Sequence, residues 1–199
     1  MNSKKYSAKL TGESFLLYEF KIVAKLKKEG FSDKEIRKRV LEENLFQYKF
    51  KSSISRRLTP LIQRINLLDD NLINRLIEDP LGDGIIINLY AIMKNDLMFF
   101  EFMNEVMKNK LNENNEILER KDINIFIETK IEQNNDVAEW SEATINKIKQ
   151  VIRKILIEAG IIEDIKNGKI HKVKMSNWLK QYLIDKSEEK YVLALGETI

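Results

Sequence analysis

Hydroxyl and arginine side chains are concentrated in one short stretch, KSSISRRLTPLIQRI, at residues 51–65. Its apolar residues recur with the spacing of one face of a helix, which leaves the polar residues on the other faces. Serine hydroxyls donate to phosphate oxygens, and arginine forks onto a phosphate or a guanine edge. The stretch predicts a nucleic-acid-binding helix, and the alternative is a basic helix that is only solvated. The candidate contacts are Lys51, Ser53, Arg56, Arg57 and Arg64.

Pro60 lies in the middle of this predicted helix. It has no N–H, and its ring clashes with the carbonyl four residues back, which costs about 3 kcal/mol in a continuous helix. Two alternatives remain open at this point. Either the helix kinks at Pro60, or Thr59 caps a second helix whose first residue is Pro60.

A second basic segment lies at 141–174. SEATINKIKQVIRKILIEAG predicts a helix of about 19 residues, and IIEDIKNGKIHKV places Asn-Gly between two β-branched segments, which predicts a β-hairpin. Winged-helix modules put such a helix in the major groove and a basic hairpin on the adjacent backbone. The segment predicts a winged unit of this kind, and the alternative is a solvated helix and hairpin that bind nothing. The candidate contacts are Thr144, Lys147, Lys149, Lys169 and Lys172.

Catalytic and metal-binding patterns are missing from the sequence. With no cysteine and one histidine, it has neither a thiolate zinc site nor an imidazole metal cluster. Asp69 and Asp70 are adjacent, so a helix would point them about 100° apart, and they are predicted to start a helix. His171 has no serine or cysteine nucleophile pattern near it and is predicted to be a surface residue. We therefore expect no enzymatic activity, no cofactor, no metal and no small-molecule substrate.

The composition favours an all-α protein. Among 199 residues there are 7 glycines and 2 prolines, too few for the usual punctuation of strands and turns. The absence of cysteine suits a reducing, cytoplasmic compartment, and the N-terminus does not read as a secretory signal. The longest apolar run, at 84–93, is about half of the roughly 20 residues that a membrane span needs, so we expect no membrane contact.

Charge is distributed unevenly along the chain. The net charge is +3, but residues 1–66 carry +9, residues 67–142 carry −10 and residues 143–199 carry +4. The positive field is therefore concentrated in the first and last thirds of the sequence, where it could attract phosphates.

Helix-forming patterns occupy most of the chain. Gly30 and Gly160 are predicted to end two helices, and Ser32 with Glu35 predicts a capping box. The helices at 33–44 and from 52 onward form a helix-turn-helix-like pair, although the connection is longer than the standard three or four residues. The predicted helices span about 13–29 with Ser14 near the start, 33–44, 52 onward, 69–78, 84–110, 121–134, 141–159 and one more before a loose or docked tail.

These patterns together suggest a two-part helical protein. The first predicted domain, at 1–80, is basic and helical. The second, at 81–199, is helical and contains the winged unit at 141–174. The predicted partner of both basic parts is double-stranded DNA, contacted mainly through its phosphates.

Several stretches together resemble one protein family. They are KYSAKLTGESFLLYEFKIVAKL from residue 5, ENLFQYKFKSSISRRL from residue 43, AIMKNDLMFFEFMNEV from residue 91 and WSEATINKIKQVIRKILIEAGII from residue 140. In this order they cover nearly the whole chain and resemble the BrxA family, a small component of bacteriophage exclusion (BREX) systems. Pro60 is a departure from what the family leads us to expect at that place.

The resemblance implies an all-helical cytoplasmic protein, similar in fold to DNA-binding helical modules, that serves phage defence without being an enzyme. It implies other BREX subunits as further partners. No residue-level motif carries over from the family, so the candidate contacts rest on charge and helix-face arguments. The alternative is an assembly subunit of the same defence complex that never touches DNA.

Overall fold

The structure, a computed structural model, describes residues 5–12, 14–113, 116–164 and 166–199. It is mainly helical, which confirms the all-α prediction. No helix in these ranges is long and apolar enough to cross a membrane. The α-helices in chain order are α1 Leu17–Lys28, α2 Asp33–Glu42, α3 Lys51–Ile65, α4 Asp70–Glu78, α5 Asp83–Asn95, α6 Leu97–Phe102, α7 Lys108–Asn112, α8 Arg120–Gln133, α9 Asn135–Ala138, α10 Glu142–Glu158, α11 Asn177–Asp185 and α12 Glu189–Ala194.

The chain forms two compact units. One, Phe15–Asn95, contains α1 to α5, and the other, Met1–Ser14 with Asp96–Ile199, contains α6 to α12. Helix α5 therefore packs with the N-terminal helices, although its sequence falls in the second predicted domain. Compact packing does not establish which segments fold alone, so the domains at 1–80 and 81–199 stay a prediction.

Helix α1 begins later than its sequence suggests. Residue 13, the predicted start, lies outside the described residues, and Ser14 is buried ahead of the helix. The N-cap residue Leu16 has the left-handed conformation (φ 49°), which does not continue into an α-helix, so the helix starts at Leu17. The predicted end is confirmed, because the N–H of Gly30 returns to the carbonyl of Lys27 at 3.0 Å.

The capping box of α2 is confirmed. The Ser32 hydroxyl accepts the N–H of Glu35, and the Glu35 carboxylate accepts the N–H of Ser32 at 2.8 Å. Within the Phe15–Asn95 unit, α3 packs against α1, α2 and α5, while α4 packs against α1 and α5. Helix α3 is thus covered on more than one side.

Helix α3 runs without a break through Pro60. The alternative in which Thr59 caps a separate helix is therefore wrong. Leu58 and Leu61, on either side of the proline, are fully buried, and burying one such side chain contributes about 1.5–3 kcal/mol. Packing along the whole helix therefore outweighs the missing bond from Pro60 to the carbonyl of Arg56.

The predicted helix at 84–110 is interrupted at Asp96. This residue has an extended backbone (φ −127°, ψ 121°), and its side chain accepts the N–H of Phe99 at 2.9 Å. An aspartate in this position caps a new helix and competes with continuation of the old one. Helix α5 therefore ends at Asn95, and a π-helical turn at Met103–Met107 joins α6 to α7.

Apolar side chains from α6 and the π-helical turn form the core of the second unit, as LMFFEFM predicts; they are Met98, Phe99, Phe102 and Met103. A 3₁₀ helix at Ala8–Gly12 packs on α10, and α12 packs on the π-helical turn. Tyr191 and Val192 of α12 are buried, so the C-terminal tail is docked rather than loose.

An ion-pair network around the buried Lys130 fixes α8 in this unit. The ammonium group of Lys130 lies 2.8 Å from Glu101 and 2.6 Å from Glu105, and Tyr6 donates its hydroxyl to Glu101. Burial alone would lower the pKa of Lys130, but the hydrogen bonds and charges of the two carboxylates raise it overall. The charged lysine therefore ties α8 to α6 and to the π-helical turn.

Three short extended segments pair beside α10. The bridges between Ile162 and Ile170 and between Ile117 and Lys169 are antiparallel, and they are the isolated bridges within the described ranges. Gly168 has φ +61°, and a Cβ there would overlap the carbonyl oxygen of Leu118, so this position requires glycine. Single bridges are weaker than a hairpin of two strands, and Ile165 lies outside the described residues. The β-hairpin and the winged unit therefore stay predictions.

Candidate nucleic-acid interface

The α3 surface consists of Lys51, Ser53, Arg56 and Arg57, which share the first half of one helix. Lys51 and Arg56 are exposed, while Ser53 and Arg57 are half-buried. The helix contains no Asp or Glu, and its N-cap residue Phe50 makes no side-chain hydrogen bond to the first turn. Cations and hydroxyls therefore surround a helix start whose N–H groups receive no side-chain cap.

Helix α2 supplies a further cation to this side of α3. The guanidinium Nη1 of Arg37 donates to the hydroxyl of Thr59 at 3.1 Å. Arg37 is not among the contacts predicted from the sequence. The helical spacing of α2 predicts only that the Arg37 side chain points outward. Its contact with Thr59 depends on how α2 and α3 pack.

Arg64 is not a surface residue, and its assignment as a nucleic-acid contact is wrong. Its side chain is completely buried. Nη1 donates to the carbonyl oxygen of Phe15 at 3.1 Å and to Oδ1 of Asn88 at 3.4 Å. Asn88 also donates to the Phe15 carbonyl at 2.6 Å. Arg64 therefore joins α3 to α5 and to the chain before α1 from inside the unit.

The α10 surface consists of Thr144, Lys147 and Lys149 on the polar face of α10. Ser141 caps the helix by accepting the N–H of Thr144 at 3.2 Å, and the two hydroxyl oxygens lie 3.0 Å apart. The N–H and the hydroxyl of Thr144 are therefore both hydrogen-bonded to Ser141 at the helix start. Lys147 is exposed, and Lys149 is half-buried at the edge of a cavity.

Lys169 and Lys172 follow α10 in the paired extended segments. Both are exposed, but they differ in their neighbours. The ammonium group of Lys172 lies 3.9 Å from Glu197, which also lies 3.7 Å from Lys180. The Glu197 carboxylate offsets part of the positive charge at Lys172, so Lys169 is the stronger candidate of the pair.

Sequence reasoning missed two arginines near the α10 surface. Arg120 at the start of α8 and Arg153 on α10 line the same cavity as Lys149. The signal for Arg153 was present, because it follows Lys149 by four residues and lies on the same helix face. Arg120 had no local signal, since its proximity to α10 arises from tertiary packing.

The structure divides the predicted contacts into two sets. The α3 surface lies in the Phe15–Asn95 unit, and the α10 surface lies with Lys169 and Lys172 in the other unit. Among the described residues, no three His, Asp or Glu side chains are grouped so that they could hold a metal ion. The chemistry at both surfaces is therefore that of cations, hydroxyls and amides.

The chain is similar to known proteins along almost its whole length. The BrxA family model matches residues 4–187. The BREX protein BrxA of Bacillus cereus (strain H3081.97) is 33% identical over 194 residues, covering 98% of this chain and 93% of that protein. The BREX protein BrxA of Paramagnetospirillum magneticum (strain ATCC 700264 / AMB-1) is 24% identical over 199 residues, the full length of both.

A solved structure shares the fold. The crystal structure of an uncharacterized protein from Magnetospirillum magneticum matches with a TM-score of 0.81 and 23% identity, over 96% of this chain and 98% of that one. The family resemblance of the sequence is thus confirmed by the family model and by relatives of nearly equal length. The chain belongs to the BrxA family, a component of the BREX systems of phage defence.

Proposed function

We propose that the chain is a cytoplasmic, non-enzymatic DNA-binding component of its BREX system and that it contacts duplex DNA mainly through phosphates. The α3 surface carries the proposal. Lys51 lies in the first turn, where the helix dipole favours anions and disfavours cations. A phosphate placed at this turn would accept hydrogen bonds from uncapped N–H groups and neutralise the lysine at the same time.

The packing of α2 against α3 supports a helix-turn-helix-like mode. In the standard motif the second helix enters the major groove with its first turns, and the first turns of α3 carry Lys51, Ser53 and Arg56. The connection at 43–50 is longer than the standard turn. We therefore assign phosphate contacts, which fix position, to this helix rather than base reading.

The α10 surface and Lys169 supply the second proposed contact. In a winged-helix mode, the first turns of α10 would face the groove, and the segment at 161–171 would lie on the adjacent backbone. Lys147 and Lys169 are exposed and form no ion pair with another described residue. Each therefore keeps its full charge for a phosphate.

A salt titration tests the proposal. Fluorescence anisotropy of a labelled random duplex is measured with the purified chain between 50 and 200 mM salt. Each neutralised phosphate contributes about −0.9 to the slope of log K against log salt, so four to six contacts predict a slope between about −3.6 and −5.4. A flat response, or no binding at 50 mM salt, would contradict DNA binding and favour the assembly subunit.

A further inference from the structure

A concave basic site lies between the start of α8 and the polar face of α10, within the second compact unit. Two adjoining cavities, of about 490 and 530 Å³, share Arg120 and Arg153 in their walls. Lys149 lines the first and Lys166 lines the second. Cavities of this size are in the range that holds small ligands.

The positive charges of this site are not neutralised by nearby carboxylates. Neither Arg120 nor Arg153 forms an ion pair with another described residue. Glu119 lines the second cavity but pairs with Lys121 at 2.6 Å. Asp122, one turn into α8, pairs with Lys110 at 2.9 Å. These two carboxylates therefore serve other cations.

The two guanidinium groups act on each other. Arg153 is half-buried, and its burial, together with the charge of Arg120, lowers its pKa. A folded chain does not gain stability from placing like charges side by side. An anion between them would reverse this repulsion, so the arrangement is better suited to a bound state than to an empty one.

The neutral lining fits a phosphate ester. Amide side chains of Asn124, Asn146 and Gln150 surround the first cavity, and their NH₂ groups can donate to phosphate oxygens. Guanidinium groups donate two parallel hydrogen bonds to a phosphate. Ile123 adds an apolar wall, against which the sugar or base of a nucleotide can pack.

We propose that Arg120, Lys149 and Arg153 form a receptor for one phosphate group of a nucleotide. The group comes from a strand of DNA or from a free nucleotide. If the phosphate belongs to a DNA strand, the inference rests on the proposed function, and a phosphate of the duplex then binds in the cavity between α8 and α10. In the free form it stands without DNA binding.

The test uses one variant and a matched control in the full chain. The pocket variant is Arg120→Gln with Arg153→Gln. The control is Lys154→Gln with Lys190→Gln, which removes the same charge from exposed positions of the same unit outside the cavities. Because the pocket variant removes a repulsion, its melting temperature without ligand should equal or exceed that of the wild type.

The first arm measures thermal unfolding with inorganic pyrophosphate, with ionic strength held constant by chloride. Pyrophosphate should raise the melting temperature of the wild type and of the control by roughly 3 °C or more at ten times its dissociation constant. The shift should be lost in the pocket variant. Arg153→Lys keeps the charge but not the fork, and we expect it to keep less than half of the shift.

The second arm measures duplex binding by anisotropy against salt. If the phosphate belongs to a strand, the pocket variant loses one phosphate contact and lowers the magnitude of the slope by about 1 relative to the control. If the pocket variant loses the pyrophosphate shift while its duplex binding is unchanged, the ligand is a free nucleotide. The same holds if the wild type shows the pyrophosphate shift but binds no duplex. If the pocket variant matches the control in both arms, the receptor does not exist, whether or not the wild type binds DNA.

Discussion

Helices α3 and α10 are both basic and amphipathic, but they begin differently. Helix α10 starts at Ser141, whose hydroxyl accepts the N–H of Thr144, and Glu142 in its first turn suits the helix dipole. Helix α3 starts at Phe50 without a side-chain cap and carries Lys51 in its first turn. The start of α10 is capped by its own side chain, whereas the start of α3 has no side-chain cap and only the N–H of Ser53 returns to the Phe50 carbonyl, at 3.1 Å.

The two helices also differ in how they use an arginine in their second half. Arg64 of α3 is completely buried and hydrogen-bonded inside its unit. Arg153 of α10 is half-buried beside the like charge of Arg120, in the wall of a cavity. Two arginines with the same charge therefore differ in role: Arg64 holds its unit together from inside, whereas Arg153 faces a cavity.

Replacing Arg64 should cause the largest loss of stability. Arg64→Ala leaves the Phe15 carbonyl and the Asn88 amide with fewer buried partners and opens a cavity. We expect the free energy of unfolding to fall by about 3–5 kcal/mol, because buried neutral acceptors lose a donor and a large side chain leaves a cavity. Urea denaturation followed by circular dichroism measures this loss.

Arg153→Ala is the matched comparison on α10. Its guanidinium is not hydrogen-bonded to another described side chain, and it is repelled by Arg120. We expect a change within about 0.5 kcal/mol of the wild type, as for ordinary surface substitutions. Equal losses in the two variants would show that the contrast between a structural and an available arginine is wrong.

The backbone beside α10 should be the next most sensitive feature. Gly168→Ala introduces both a positive-φ residue and an overlap with the Leu118 carbonyl. Gly160 also has a positive φ (+71°) but has open space around its Cβ position. We expect losses of about 2 kcal/mol or more for Gly168→Ala and about 1 kcal/mol for Gly160→Ala. Thermal melting measures both losses. If Gly168→Ala and Gly160→Ala lose similar stability, the segments flanking Gly168 separate easily.

Local sequence signals predicted some of the helix ends and missed the long-range partners. The capping box at Ser32 and Glu35 and the end of α10 at Gly160 depend on neighbouring residues and were predicted correctly. The burial of Arg64 depends on Asn88 and Phe15, which are 24 and 49 residues away. No helical periodicity contains that information.

The width of the buried face explains the error at Arg64. One apolar stripe predicts contact with one neighbour, but α3 packs against α1, α2 and α5. A helix with several neighbours buries positions at the side of its stripe, and a polar residue there must find partners inside. In the same way, the pairing of Lys172 with Glu197 and the closeness of Arg120 to Arg153 are products of tertiary packing.

DNA binding should distinguish the cations of the two units. Arg56→Gln with Arg57→Gln should reduce the magnitude of the salt slope by about 2 and weaken binding roughly tenfold at 0.15 M salt, for all sequences alike. Lys169→Gln with Lys172→Gln should reduce the slope by only about 1, because Glu197 already offsets Lys172. Anisotropy titrations with two unrelated duplexes measure both effects.

The opposite order would reverse the assignment of the two surfaces. If the Arg56→Gln, Arg57→Gln variant bound duplex normally while the Lys169→Gln, Lys172→Gln variant did not bind, the α3 surface would not be a DNA contact. Glu197→Gln provides an independent check. Removing this carboxylate frees Lys172 and should tighten binding slightly, whereas a role for Lys172 in structure alone predicts no change in affinity.

The contrast between the helix starts gives the smallest effects and the most direct test. Ser141→Ala removes a working cap and should cost about 1 kcal/mol of stability. Phe50→Ser adds a hydroxyl where α3 has none; Phe50 is 61% exposed, so little packing is lost, and we expect a gain of about 0.5 kcal/mol. If phosphates bind at the start of α3, the new cap competes for the same N–H groups. Phe50→Ser should then raise the free energy of unfolding and weaken duplex binding about threefold. A helix start that is only solvated would gain the stability without losing affinity for duplex.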